Sequence, residues 1–194
     1  MSLFLGIDFG TTGVRSSIID KNKKELINFS VSIDSPISKG SLVYQNPSLW
    51  WNALIKNLTY LKTKIELNKI ERLSIDGTSG TILITDHSGN PLDNALMYND
   101  ASAVKESKLV ESISDNHPIV STSTNALVRA LSLINKLKKE KYRILHQADW
   151  IACKIIDDYM YSDENNALKL GYDCIERSWP KWFDRLPIEM NSLP

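Results

Sequence analysis

The stretch FLGIDFGTTGVRSSIID, residues 4–20, joins two apolar runs through a short loop of glycines and threonines. Both runs are rich in β-formers, which predicts strands at residues 3–9 and 14–19. Between them Gly10, Thr11, Thr12 and Gly13 form a turn that can aim several backbone N–H groups and hydroxyls at one point, as proteins do to cradle phosphate oxygens. Glycine matters there because a Cβ would block close approach of the backbone. Gly10 and Gly13 equally suit a plain β-hairpin, so the turn by itself leaves both readings open. Asp8 weighs toward function. A carboxylate inside an apolar run is costly without a partner, and Mg²⁺ carried in with ATP is a natural one. The Walker loop is excluded, because it needs a Lys before its Ser or Thr and a following helix. Here Thr11 and Thr12 lead into a second strand, and Arg15 is the nearest cation.

Outward from this hairpin, residues 20–24 make a charged turn and residues 25–33 a third strand, giving an N-terminal meander. Residues 36–45, with Pro, Gly and several Ser, read as a loop. Asn46, Pro47 and Ser48 open a helix in which Leu49, Trp50, Ala53, Leu54, Leu58, Leu61 and Ile65 recur at helical spacing. Trp50 and Trp51 could stack a sugar ring, but at the start of an amphipathic helix the core is the better reading. Strands follow at residues 70–75 and 81–85, then a turn at 86–91 and a strand at 96–98. Strands, a helix and strands again predict an α/β layer fold. Beyond Asp100 the pattern is helical, at residues 104–113, 125–140, 147–157 and 179–186. Lys136, Lys138, Lys139 and Lys141 at one helix end suit the macrodipole and do not argue for nucleic acid.

Composition limits the function classes. At 194 residues, 42% of them apolar and 24% charged, the chain can build one well-packed domain, or one and part of another. Lys plus Arg equals Asp plus Glu at 23 each, so no basic excess marks a nucleic-acid or anionic-membrane binder, and a small-molecule partner is expected. No apolar run approaches membrane length, and the N-terminal residues lead straight into a strand. A cytoplasmic chain is therefore expected. Cys153 and Cys174 are too few and too far apart for a metal knuckle or disulfide framework, and read as buried or idle thiols.

IDFGTTGVRSSIID resembles the first phosphate motif of the sugar-kinase, heat-shock ATPase and actin superfamily. In that superfamily a hairpin turn touches ATP phosphates and the Asp holds the metal through water. LSIDGTSGTILITDHSGNPL, ALMYNDASA, HQADWIACKI and SDENNALKLGYD then follow in an order similar to the FGGY family of carbohydrate kinases, above all its plant and cyanobacterial branch of ribulose and xylulose kinases. The resemblance spans nearly the whole chain. It implies a ribonuclease H-like α/β fold with a mixed central sheet flanked by helices. It makes Asp8 the Mg²⁺-associated carboxylate and brings Thr11 and Thr12, with Arg15 helping, to the phosphates of ATP. Ser79, in DGTSGT, would lie on the sugar side of the cleft, with Asp100, in YND, at a position where relatives hold sugar hydroxyls. Short polar side chains and carboxylates at strand ends suit that task. Asp76 with Gly77 reads equally as a turn, and Asn99 as a helix cap.

The remaining polar residues have simpler readings. His87, His117 and His146 lack partners at metal-ligand spacing and are expected to be structural or on the surface. Asp149 and Trp150 support a helix start, and Asp163 and Asn166 organise a loop. In the family the base of transfer belongs to a later motif, expected beyond Pro194, together with an ATP-binding domain. The resemblance therefore implies the N-terminal, sugar-binding part of an ATP- and Mg²⁺-dependent kinase of a ketopentose, D-ribulose or D-xylulose, inactive alone and completed by a second chain or domain. Two alternatives stay open: a non-catalytic sugar- or nucleotide-binding module, and a chaperone- or actin-like ATPase, which the resemblance after residue 70 disfavours.

Overall fold

The computed structural model describes residues 2–114, 120, 122–137 and 141–194. The expectations placed on His117, Lys138 and Lys139 fall outside them. Two compact units emerge: one of residues up to Pro36 together with Asn46–Thr78, the other of Ile37–Gln45 and Ser79–Pro194.

The first unit is built on a four-stranded mixed sheet in the order β3-β2-β1-β6. Strands β1 (Leu3–Phe9), β2 (Gly13–Asp20) and β3 (Glu25–Ser32) form the antiparallel meander, and β6 (Ile70–Gly77) runs parallel to β1. Side chains alternate across the pleat, so Leu3, Leu5, Ile7 and Phe9 are buried on one face of β1 while Phe4, Gly6 and Asp8 look the other way. Helix α1 (Ser48–Lys62) packs Trp50, Ala53, Leu54 and Leu61 onto β2 and β3. Its one buried polar group, Asn57, is matched: Oδ1 accepts from the Ser16 hydroxyl at 2.9 Å, and Nδ2 donates to Val14 and Ala53 carbonyls at 3.3 and 3.2 Å. Phe29 and Tyr60 stack with ring centroids 3.7 Å apart.

The second unit holds a five-stranded antiparallel sheet in the order β4-β5-β8-β7-β9. Its strands are β4 (Ile37–Lys39), β5 (Leu42–Gln45), β7 (Ile82–Thr85), β8 (Ala95–Leu96) and β9 (Arg143–His146). The segment expected as a loop over residues 36–45 is therefore the hairpin β4–β5, and β9 is a strand the periodicity does not announce. Helices α2 (Val104–Ile113), α3 (Ala126–Lys136), α4 (Gln147–Ile156) and α5 (Glu164–Lys169) complete the unit. Residues 181–185 form a 3-10 turn inside the segment expected to be helical. Ile82, Ile84 and Leu96 of the sheet, Leu127, Ala130 and Leu131 of α3, and Trp182, Phe183 and Leu186 near the C-terminus share one core. An α/β architecture is as expected, with its strands divided between two sheets.

Candidate functional site

The expected residues fall into two groups, one in each unit. In the first, the Gly10 N–H donates to the Gly13 carbonyl at 2.9 Å and closes the β1–β2 turn. Glycine is required at Gly13, where a Cβ would stand 3.3 Å from the Val31 carbonyl oxygen. The carbonyl of Thr12 accepts the Ile33 N–H at 3.0 Å, and that of Phe9 accepts both the N–H and the hydroxyl of Thr78, each at 3.1 Å. The turn is thus held from both neighbouring strands, with the Thr12 side chain exposed.

Asp8 does not sit in the core, as its place in an apolar run suggested. The pleat turns it onto the open face, where Arg15 on β2 pairs with it at 3.1 Å; the two side chains are 48% and 69% exposed. Its direct cross-strand partners are Arg15 and Asp76, so both carboxylates and the guanidinium share one face. The Asp76 carboxylate accepts the Gly77 N–H at 2.8 Å. A depression of about 380 Å³ spans this face, lined among others by Gly6, Asp8, Arg15, Ser17, Asn28 and Asp76. Two solvated carboxylates are a hard oxygen donor set, suited to Mg²⁺, which keeps several of its waters. Among the described residues no cluster of three or more metal-ligating side chains occurs.

In the second unit Ser79 stands at the mouth of a cavity of about 240 Å³, lined by Ser79, Gly80, Tyr98, Thr122, Thr124, Asn125, Ala126, Arg129 and Lys169. Hydroxyls dominate its polar lining. Arg129 on α3 is only 1% exposed and ties the walls together. Its Nε–H donates to the Asn125 carbonyl at 3.3 Å, Nη1 to the carbonyls of Leu96 and Met97, and Nη2 to that of Thr124 at 2.9 Å. Burial pushes the Arg129 guanidinium down to about 10, and the charge of Asp100 opposes that shift in part. Asn125 caps α3, its side chain accepting the Leu127 N–H at 2.7 Å.

Asp100 is not brought to this cavity. It is fully buried, and its carboxylate accepts the Val43 N–H at 2.7 Å, the Ser102 N–H at 3.2 Å and the Ser102 hydroxyl at 2.9 Å. Those bonds tie β5 to the loop after β8. The lining residues that sequence reasoning missed are Tyr98, Thr122, Thr124, Asn125, Arg129 and Lys169. Arg129 carried a signal, a single charge inside the apolar run NALVRALSLI.

The simpler readings hold. His146 is buried at the start of α4, with Nδ1 3.4 Å from Asp149 Oδ2. Asp149 also accepts from the Ser162 hydroxyl and from Asn166 Nδ2, both at 2.8 Å. Asp163 caps α5 through the Asn166 N–H at 2.8 Å. Trp150 Nε1–H donates to the Gly89 carbonyl at 2.8 Å, His87 is exposed in its turn, and Trp50 is core. Among the described residues no helix is long and apolar enough to cross a membrane.

The mixed four-stranded sheet with its antiparallel meander and flanking helix is the architecture of a ribonuclease H-like α/β domain. The profile of the FGGY family of carbohydrate kinases, N-terminal domain, matches residues 3–194, and the chain belongs to that family. It is 22% identical over 207 residues to a xylulose kinase of Staphylococcus xylosus, covering 100% of this chain and 42% of that protein. Two solved structures share its fold. Plasmodium falciparum glycerol kinase with ADP matches with a TM-score of 0.83 at 19% identity, covering 100% of this chain and 42% of that one. Xylulose kinase from Rhodospirillum rubrum matches with a TM-score of 0.85 at 16% identity, covering 99% and 42%. The chain thus spans about two-fifths of the length of these relatives.

Proposed function

We propose that this chain is the acceptor-binding part of an ATP- and Mg²⁺-dependent carbohydrate kinase. The observation that carries the proposal is the hydroxyl-lined cavity at Ser79, in a chain whose family match runs from residue 3 to 194. Among neutral sugars the acceptor is a ketopentose, D-xylulose or D-ribulose; a xylulose kinase among the relatives supports the first. Ser79 meets its hydroxyls at the cavity mouth. Asp100, buried and bonded to Val43 and Ser102, holds β5 to the loop after β8 rather than meeting the sugar.

The β1–β2 turn receives the phosphates of ATP through Thr11, Thr12 and the backbone, with Arg15 adding charge. Asp8 and Asp76 would hold Mg²⁺, which when bound would neutralise charge on the phosphates. Arg15 pairs with the Asp8 carboxylate at 3.1 Å on the same face. The base that takes the sugar's proton and the adenosine site come from outside this chain, from another domain or a second polypeptide. Closure of that part over the sugar keeps water from competing for the phosphoryl group.

The test is a coupled ADP-release assay on the chain with ATP, Mg²⁺ and D-xylulose, D-ribulose or glycerol, beside calorimetric titration of the sugars. The proposal expects a ketopentose to bind without sugar-dependent ADP release. Sugar-independent ATP hydrolysis would favour the actin-like reading, and sugar-dependent release lost in Asp8→Ala would show that the chain assembles a complete site.

A further inference from the structure

The Ser79 cavity carries an unusual charge balance for a site that takes a neutral sugar. Two cations reach it, Arg129 from α3 and Lys169 from α5, and no carboxylate lines it among the described residues. They converge: a Cβ on Gly80 would stand 3.4 Å from Arg129 Nη2 and 3.9 Å from Lys169 Cδ. Gly80 has φ of +82°, a conformation that side chains rarely adopt, so a glycine here keeps a Cβ out of the space between the two cations.

Among the described residues neither charge is neutralised by a hydrogen-bonded acid. The four partners of Arg129 are main-chain carbonyls, and Asp100, the nearest compensating charge, has turned its oxygens to Val43 and Ser102. Desolvation therefore outweighs Asp100 in its effect on the guanidinium. Lys169 Nζ donates to the backbone carbonyl and side-chain oxygen of Asn165 at 3.1 and 3.0 Å, which uses two of its three protons. Around the cations stand the hydroxyls of Ser79, Tyr98, Thr122 and Thr124. A ligand that matches both features bears hydroxyls and an anionic group.

We propose that this cavity takes a short sugar acid, its carboxylate at Lys169 and the Arg129 edge and its hydroxyls at Ser79, Thr122 and Thr124, in preference to a neutral sugar of the same length. The inference rests on the reading of the cavity as the acceptor site and names the acceptor class that fits it best. Charge-assisted hydrogen bonds to a carboxylate are shorter and about twice as strong as neutral ones, which sets the direction of the preference.

The test is calorimetric titration of the chain with D-xylonate and D-xylulose, at low and at physiological salt, with circular dichroism confirming the fold of each sample. The expected result is D-xylonate binding at least tenfold tighter than D-xylulose, weakening as salt is added. Lys169→Gln and Lys169→Met are expected to reduce that preference by a similar factor. Equal or tighter binding of D-xylulose, insensitive to both variants, would overturn the sugar-acid inference and leave the acceptor site standing. Binding of neither ligand by a folded chain would overturn the acceptor site itself, and the inference with it.

Discussion

The guanidinium of Arg15 lies 3.1 Å from the carboxylate of Asp8, across the two strands that carry the phosphate-type turn. The residue proposed to hold the metal thus rests on the cation proposed to help with phosphate, and the pair can hand over when both ligands arrive. Arg15→Ala is expected to raise the affinity for Mg²⁺ alone several-fold, read by calorimetry, since it removes the competing charge. Because both side chains are largely solvated, the change in stability by denaturant melting is expected to stay below about 1 kcal/mol.

Gly89 is the turn residue with least tolerance. Its φ is +74°, and a Cβ there would fall 2.0 Å from the Tyr159 ring. Its carbonyl also accepts the indole N–H of Trp150. Gly89→Ala is expected to cost roughly 3 kcal/mol or more, because the ring must move and the backbone is strained. Thermal denaturation would show the midpoint lowered by several degrees.

Arg129→Met removes the donor to four carbonyls from a position that is 1% exposed. Orphaned buried acceptors make this a loss of about 3 kcal/mol in chemical denaturation. Arg129→Lys, which keeps the charge but not the planar fork, is expected to recover only part of it.

The thiols should differ sharply. Cys153 is buried, and burial raises its pKa above the ordinary thiol value of 9.0; Cys174 is partly exposed. A folded pKa above the unfolded one means the fold favours the neutral thiol. That contribution is complete below about pH 9 and is lost as pH rises through the raised folded value. A disulfide reagent at pH 8 is expected to label Cys174 in the native chain and Cys153 only after unfolding.

Helix α1 was legible because its apolar residues recur at one spacing over several turns, and the N-terminal meander because its runs of β-formers are broken by turn residues. Strands β4, β5 and β9 were not. Each has three or four residues; β5 and β9 are made strands by partners distant in sequence, Tyr44 with Leu96 and Leu145 with Leu83, and β4 by its short hairpin with β5. The same limit applies to the site. Ser79 and the turn at Thr11 and Thr12 sit in local motifs, whereas Lys169 meets Gly80 only through the fold, and the pleat that exposes Asp8 turns on one residue of register.

Whether the Ser79 cavity holds the acceptor is read directly by a nuclear magnetic resonance titration of the ¹⁵N-labelled chain with D-xylulose and D-xylonate. Saturable shifts are expected at the amides of Ser79, Gly80, Tyr98 and Thr124 and at the Arg129 side-chain Nε–H, with little change in α1. Saturable shifts confined to the β1–β2 turn or to the β4–β5 hairpin, with the Ser79 cavity unmoved, would contradict that placement of the acceptor.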